Sequence, residues 1–176
     1  GFVAIAFVAY SFSSGNFVSQ LVLAYVAIWG VRLAIHIFLR NWGKGEDFRY
    51  AAWRKDWGSS WIIRSFFQIF VVQWILMQLV SIPIVLGIVG VMQIAPWMMY
   101  LGMTLWLTGF FFEAVGDYQL TQFKKKKSSK GKLMTTGLWS LTRHPNYFGE
   151  ATLWWGIAVL AYGVTGSIYA FIGPIT

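Results

Sequence analysis

Long apolar stretches alternate with short polar segments along the whole chain, and this alternation predicts membrane-spanning helices. A helix needs about twenty residues to cross the hydrocarbon core of a bilayer. Such spans are predicted at 17–40, 61–82 and 97–123, with further apolar helices at 1–12, at 146–163 and from 167 onward. Pro83 is expected to end the span that begins at 61, because proline cannot donate to the helical ladder. Pro96 suits the first turn of the next helix.

This pattern predicts an all-α fold, a multi-pass transmembrane helical bundle of about five to six helices that forms a single domain over 1–176. The chain starts at Gly1 inside one apolar stretch and stops inside another, SIYAFIGPIT. We therefore expect a fragment of a longer protein, truncated at both ends.

The loops predict which way the bundle faces. Segments 41–60 and 124–144 are charged, whereas 13–16, 84–95 and 162–167 contain no Lys or Arg. Lys and Arg accumulate in the cytoplasmic loops of membrane proteins. The charged loops are therefore expected on the cytoplasmic side, or on the equivalent side of an organelle.

Composition supports a membrane protein and excludes several other classes. Hydrophobic residues make up 57% of the chain and charged residues 11%, against about 25% charged in soluble domains. The net charge of +8 is accounted for by the loop asymmetry, so we expect no nucleic-acid partner. There are no cysteines and only two histidines, so we predict neither a disulfide nor a metal site.

Three basic side chains recur every four residues on the helix at 17–40: Arg32, His36 and Arg40. Residues at this spacing share one helix face about 6 Å apart. A charge inside the bilayer costs roughly 2.5–3.5 kcal/mol on insertion scales unless it faces a wet or paired interior. The face is therefore either part of a functional site or a set of structural ion pairs between helices.

The helix at 97–123 offers matching acids. Glu113 and Asp117 lie one turn apart, and Lys124 continues the same stripe. Two acids this close repel each other unless cations or a ligand are nearby. They either neutralise Arg32 and Arg40 or contribute to a binding site, and the two roles are compatible.

The segment GLWSLTRHPNYFGE at 137–150 carries the densest group of polar residues beside an apolar helix. If that helix starts near Pro145, then Arg143 and His144 flank its N-terminus, where unpaired N–H groups attract anions. Asn146 and Glu150 follow one turn apart on the helix itself. The arrangement predicts a site for an amphipathic, anionic cofactor entering from the charged side, although Arg143 also suits an ordinary interfacial cap.

Two further features have alternative interpretations. The charged and aromatic segment GKGEDFRYAAWRKDWG at 43–58 is either an interfacial belt or a lid over the site, with Asp47, Arg49 and Tyr50 as contacts. The lysines at 124–127 are typical of attraction to anionic lipid head groups.

The residues quoted above resemble the membrane steroid 5-alpha-reductase-like family. The resemblance rests on DYQLTQFKKKK (117–127), GLWSLTRHPNYFGEATLWWG (137–156) and WGVRLAIHIFLRNWGKGEDFRY (29–50), the last similar to the bacterial-type branch. It implies a fragment of a seven-helix fold. It also implies NADPH as the cofactor and reduction of a C=C bond conjugated to a ketone, in a lipid-like substrate that enters from the bilayer.

The resemblance also implies roles for individual residues. Asp117, Asn146 and Glu150 correspond to cofactor-contacting positions, while Glu113 and Lys124 stand where the family often has asparagine and arginine. Arg143 and His144 complete the expected cofactor site, with Arg143 on the phosphates. Arg32 and Arg40 are assigned to the substrate pocket, and His36 is the candidate donor to the substrate carbonyl, where negative charge develops. Further cofactor contacts are expected beyond residue 176.

Two other functions fit the same residues. Membrane methyltransferases that use S-adenosylmethionine share the RHP-x-Y-x-G element, although polar residues from several helices suit a multi-phosphate cofactor better. A reductase-like structural subunit of a larger membrane complex would retain the motif for helix packing alone.

Overall fold

The computed structural model describes residues 8–13, 15–43, 45–129 and 131–176. All regular secondary structure in these ranges is helical, in agreement with the predicted fold class. We number the helices as α1 (Phe17–Asn41), α2 (Phe48–Trp57), α3 (Trp61–Ser65, continuing through a π-helical segment Phe66–Val71 into Val72–Val89), α4 (Pro96–Lys125), α5 (Pro145–Thr165) and α6 (Ile172–Ile175). Short 3-10 turns occupy Gly58–Ser60, Lys127–Ser129, Gly137–Ser140 and Ile168–Phe171. Of the predicted N-terminal helix, 8–13 is helical, and 1–7 lie outside the described residues.

Local sequence signals account for most of the helix ends. Asn16 caps α1, and its side-chain oxygen accepts a hydrogen bond of 3.0 Å from the backbone N–H of Val18. Pro96 and Pro145 occupy the first turns of α4 and α5. Gly166, at a φ of 64°, ends α5 and donates to the carbonyl of Tyr162.

The prediction that Pro83 ends a helix is wrong. Pro83 is buried inside α3, which continues to Val89. A Cβ on Gly173 would lie 2.8 Å from the Pro83 ring, and a Cβ on Gly87 would lie 3.1 Å from Val22. Packing against α6 and α1 thus stabilises helical backbone on both sides of the proline, as neighbouring helices often do in membrane proteins. The connection to α4 shortens to 90–95.

Three helices of the described chain are long and apolar enough to cross a membrane: Phe17–Asn41, the continuous stretch Arg49–Val89, and Pro96–Lys125. Together they identify an integral membrane protein. The helix predicted at 146–163 is present as α5. It is not among these three, and it supplies much of the buried core, including Leu153, Ile157, Ala158, Leu160 and Ala161.

Glycines bring α4 and α5 into backbone contact. Gly102, Gly109 and Gly116 are spaced seven residues apart on α4, and Gly149 and Gly156 are spaced likewise on α5. A Cβ on Gly109 would lie 2.4 Å from the backbone N of Leu153, and a Cβ on Gly149 would lie 2.4 Å from that of Glu113. Only residues without a side chain permit this approach. It fixes the polar residues of α4 against the first turns of α5.

The loops separate to opposite ends of the bundle. Asn16 donates from its side chain to the carbonyl of Gly90 at 2.8 Å, and the N–H of Met92 donates to the carbonyl of Val164 at 2.9 Å. These contacts gather the loops without Lys or Arg at one end. The segments 42–47 and 126–144 leave α1 and α4 at the other end, which we call the charged end.

Candidate cofactor site

Arg32 carries its guanidinium from α1 into the contact with α4. Its Nη1 donates to Oε1 of Glu113, and its Nη2 donates to Oδ2 of Asp117 and, at 3.1 Å, to the backbone carbonyl of Glu113. The side chain of Glu113 is only 5% exposed and that of Arg32 18%. Buried charges are tolerated when they are paired and hydrogen-bonded. Arg32 therefore pairs with both acids, as the ion-pair interpretation predicted for Arg32, and its single positive charge balances one of the two carboxylates.

Asp117 connects three helices. Its Oδ1 accepts a hydrogen bond of 3.2 Å from Nδ2 of Asn146 on α5, while its Oδ2 binds Arg32 and lies 3.8 Å from Nε2 of His36 on α1. We call Arg32, His36, Glu113, Asp117 and Asn146 the polar cluster. The structure thus brings together five residues that the sequence singled out separately.

One member of this network was missed. The indole N–H of Trp29 donates to Oε2 of Glu113 at 3.1 Å. Trp29 precedes Arg32 by three residues and so shares its helix face. That spacing was the available signal, but a tryptophan in an apolar span is normally counted as a lipid or core contact.

The α5 side of the cluster has unused hydrogen-bonding capacity. Among the described residues, none donates a hydrogen bond to Asn146 Oδ1, which is buried. Glu150 lies one turn along α5 and interacts electrostatically with Asp117 and Arg32. None of the described residues forms a hydrogen bond with its carboxylate. Since buried polar groups are normally satisfied, this edge is suited to a ligand that donates hydrogen bonds.

A large basic cavity lies next to the cluster at the charged end. It has a volume of about 1330 Å³. Its polar lining includes six basic residues: Lys124, Lys125, Lys126, Lys132, Arg143 and His144. Phe123 and Trp139 add aromatic surface to its wall. Such a cavity attracts anions and has room for a ligand larger than a typical drug-sized molecule.

The 3-10 turn Gly137–Ser140 forms one wall of this cavity and is held against α4. Trp139 donates from its indole N–H to the carbonyl of Gly116 at 3.1 Å, and the backbone N–H of Leu138 donates to Oε1 of Gln119 at 3.0 Å. Gly137 has a φ of 64°, which favours glycine at that position. Neither Trp139 nor Gln119 was among the predicted site residues.

The basic cavity and the polar cluster are adjacent along the chain. Leu120 and Lys124, which line the cavity, lie one and two turns beyond Asp117 on α4. Two helical turns correspond to about 10 Å. His144, also in the lining, directly precedes Pro145 and Asn146. The predicted cofactor residues thus form two groups. Glu113, Asp117 and Asn146 belong to the polar cluster, with Glu150 beside them. Lys124, Arg143 and His144 line the basic cavity.

Arg40 belongs to neither group. It is exposed at the end of α1, and its charge acts on Asp47 instead. The alternative in which Glu113 and Asp117 neutralise Arg40 as well as Arg32 is therefore wrong for Arg40. Two turns separate it from Arg32, so it has already left the contact with α4.

Two of the three proposed lid residues, Asp47 and Arg49, are hydrogen-bonded to each other. Asp47 caps α2 and accepts hydrogen bonds of 3.0 Å from Nε and Nη2 of Arg49. These bonds hold the pKa of Asp47 at about 2, below its usual 3.8. Tyr50 lines a separate, smaller groove. None of the three is among the described residues that line the basic cavity.

Comparison with known proteins places the entire chain in one family. The family model described as "Protein of unknown function (DUF1295)" matches residues 1–176. No solved structure matches the chain.

Curated relatives match part of the chain. Human "3-oxo-5-alpha-steroid 4-dehydrogenase 1" is 34% identical over 71 residues, 40% of this chain and 27% of its own. The "Very-long-chain enoyl-CoA reductase" of Dictyostelium discoideum is 31% identical over 74 residues, 42% and 25% of the two chains. The "Probable O-methyltransferase ustE" of Ustilaginoidea virens is 41% identical over 68 residues, 39% and 23%. The chain thus matches about a quarter of the length of each. The predicted resemblance to the steroid 5-alpha-reductase-like family is confirmed.

Proposed function

The chain belongs to the DUF1295 family, and from this membership, its reductase relatives and its polar site we propose that the protein is a membrane-embedded, NADPH-dependent reductase. Its substrate would be a lipid-like molecule, of steroid or related type, with a C=C bond conjugated to a ketone. The observation that carries the proposal is a basic cavity whose lining residues on α4 and before α5 are adjacent along the chain to a partly buried cluster with a free hydrogen-bond acceptor.

The residues present suit NADPH. Its negatively charged phosphate groups match a cavity wall with six basic side chains. The cavity volume of about 1330 Å³ leaves room for a molecule of its size. Its hydrogen-bond donors match Asn146 Oδ1, which is buried without a donor among the described residues. When bound, NADPH would supply a hydride to the substrate.

Within this proposal, the chain's own residues have distinct tasks. Lys124, Arg143 and His144 hold phosphates at the charged end. Asn146 and Glu150 orient an amide or ribose group of the cofactor, and Asp117 accepts a hydrogen bond that holds the side-chain amide of Asn146 in place. Arg32 binds the carboxylates of Glu113 and Asp117 and so holds both side chains in place, at the edge of the proposed substrate pocket.

His36 is the proposed donor to the substrate carbonyl. It is half-buried on the same face of α1 as Arg32, with Nε2 close to Asp117. A donor at this position would stabilise the negative charge that develops on the carbonyl oxygen. Arg40, exposed at the end of α1, would lie at the outer margin of the substrate pocket.

NADPH binding to the purified, detergent-solubilised protein tests the proposal. Asn146→Ala and Lys124→Ala should each weaken binding about tenfold, because each removes a polar or charge-assisted contact worth roughly 1.5 kcal/mol. Lys55→Ala is the matched control: Lys55 is exposed on α2 and outside the cavity lining. If neither variant changes the affinity, or if the control weakens it equally, the assigned site is wrong.

A methyltransferase remains a second candidate because of the 41% identical O-methyltransferase relative. The acids in and beside the polar cluster also suit a cation, since the three carboxylates of Glu113, Asp117 and Glu150 outnumber the one guanidinium of Arg32. The same titration with S-adenosylmethionine separates the two. Binding of S-adenosylmethionine without NADPH would replace the reductase proposal with this one, and binding of neither would contradict both.

A further inference from the structure

A second concave site lies between α2 and the beginning of α3, apart from the basic cavity. We call it the aromatic groove, and it has a volume of about 300 Å³. Its polar and aromatic lining includes Glu46, Tyr50, Trp53, Arg54, Trp57 and Trp61. This volume is at the small end of ligand sites, which run from about 300 to 1,000 Å³. The groove is therefore suited to a head group rather than to a dinucleotide.

The aromatic rings form a continuous surface. Tyr50 meets Trp53 edge to face at 5.7 Å, and Trp53 stacks on Trp57 at 5.5 Å with an interplanar angle of 15°. Tyr50, Trp53 and Trp61 remain about 40% exposed, so their surfaces are accessible from outside. Tyrosine and tryptophan rings that line one small space can attract a cation, above all a quaternary ammonium that is weakly hydrated.

One acid and one base share the groove with these rings. Arg54 pairs with Glu46, and both side chains are about half exposed. An exposed pair contributes little to stability, about 0–1 kcal/mol, so its members are free to exchange partners. The guanidinium matches a phosphate and the carboxylate matches an ammonium group. The groove therefore presents complementary charges for a zwitterion.

The position of the groove adds a membrane argument. Trp and Tyr concentrate at the level of lipid head groups, and α3 leads from the groove into a stretch long enough to cross the bilayer. Ile69 and Phe70, in the π-helical segment Phe66–Val71, provide an apolar wall. Such segments often accompany functional sites. The apolar wall would continue along the acyl chains of a lipid whose head group occupies the groove.

We propose that the aromatic groove binds the head group of a zwitterionic phospholipid of the phosphatidylcholine type. The ammonium lies against Trp53, Trp57 and Glu46, and the phosphate is held by Arg54. This inference does not depend on the proposed reductase activity, since none of these residues lines the basic cavity.

Native mass spectrometry of the purified, delipidated protein tests the proposal by counting bound lipids. Phosphatidylcholine should bind more tightly than phosphatidylglycerol, which lacks the ammonium group, with phosphatidylethanolamine between them. Trp53→Ala should weaken phosphatidylcholine binding about two- to fivefold, as expected for an exposed cation–π contact. Arg54→Gln should weaken it at least as much, because it removes the phosphate partner.

Two substitutions outside the groove serve as controls. Trp97→Ala removes an exposed tryptophan from the first turn of α4, outside the groove. Lys55→Ala removes a charge next to Arg54 on α2. Both should bind phosphatidylcholine like the wild type. Equal binding of phosphatidylcholine and phosphatidylglycerol would overturn the proposal. So would unchanged binding in both groove variants, or binding of none of these lipids.

Discussion

At the scale of single residues, Asp117 holds the site together. It accepts hydrogen bonds from Arg32 on α1 and Asn146 on α5 while belonging to α4. A carboxylate that accepts hydrogen bonds from two neighbouring helices links those helices, whereas one paired within its own helix does not. The orientation of Asn146 depends on it, and it shares the pairing of Arg32 with Glu113.

Asp117→Asn should destabilise the protein although the side chain keeps its shape. The change removes the negative charge from a largely buried ion pair, and breaking such a pair costs about 3–5 kcal/mol. Because Glu113 still binds Arg32, we expect the low end of that range. Thermal unfolding in detergent measures the effect, with Asp56→Asn, an exposed acid on α2, as control. Equal melting temperatures for the two variants would contradict the role of Asp117.

Much of this residue-level arrangement could be predicted from spacing alone. Arg32, Glu113 and Asp117 stand out because charges are costly inside an apolar span, and Asn146 and Glu150 because a proline marks the helix start before them. Trp29 could not be found in this way, since its ring satisfies the apolar pattern and only its N–H takes part. The pairing of Arg40 with Glu113 and Asp117 was wrong because periodicity does not show where a neighbouring helix diverges.

At the scale of helices, the glycine contact between α4 and α5 determines where the polar residues meet. Glu113 and Gly149 are in contact through their backbones, so the α5 residues around Gly149, from Asn146 to Glu150, are brought up to the acids of α4. The seven-residue glycine spacing was visible in the sequence. Its partner helix was not, because spacing on one helix does not identify the surface that it packs against.

Gly109→Ala should destabilise the protein by about 1–3 kcal/mol, the usual effect of overpacking. The added Cβ would lie 2.4 Å from the backbone N of Leu153, which cannot move without its helix. Gly30→Ala is the matched control, because a Cβ at Gly30 meets nothing within 4 Å. That change should be neutral or slightly stabilising. Chemical unfolding compares the two, and equal behaviour would contradict the close approach of the helices.

The wrong prediction at Pro83 illustrates the limit of local rules at this scale. Proline in a helix interior removes one backbone hydrogen bond, but whether the helix ends there depends on its surroundings. Here α6 and α1 pack around the buried ring and the turns that follow it. That information resides in distant parts of the sequence.

At the scale of the whole molecule, charge is distributed unequally between the two ends of the bundle. The loops at 15–16 and 90–95 contain no Lys or Arg, whereas the segments 42–47 and 126–144 at the opposite end are charged. The basic cavity opens among the charged segments. A cofactor dissolved in the cytoplasm can reach the site only if this end faces the cytoplasm.

Cysteine labelling tests this orientation without background, because the chain contains no cysteine. Lys55→Cys lies on α2 in the charged segment, and Met92→Cys is exposed at the other end. A membrane-impermeant maleimide added to the cytoplasmic face of sealed membrane vesicles should label Lys55→Cys but not Met92→Cys. Met92→Cys should react only from the opposite face. The reverse pattern would contradict the predicted topology and a cytoplasmic cofactor.

The glycine contact also has a mechanical consequence. Because α4 and α5 approach so closely at their glycines that an added Cβ would meet backbone atoms, side-chain rotation cannot relax this contact. Helix α1 is attached differently, through the side chains of Tyr25, Trp29 and Arg32. Side-chain attachments can be exchanged one at a time. The contact between α4 and α5 therefore leaves less freedom for adjustment than the side-chain contacts that join α1 to the same two helices.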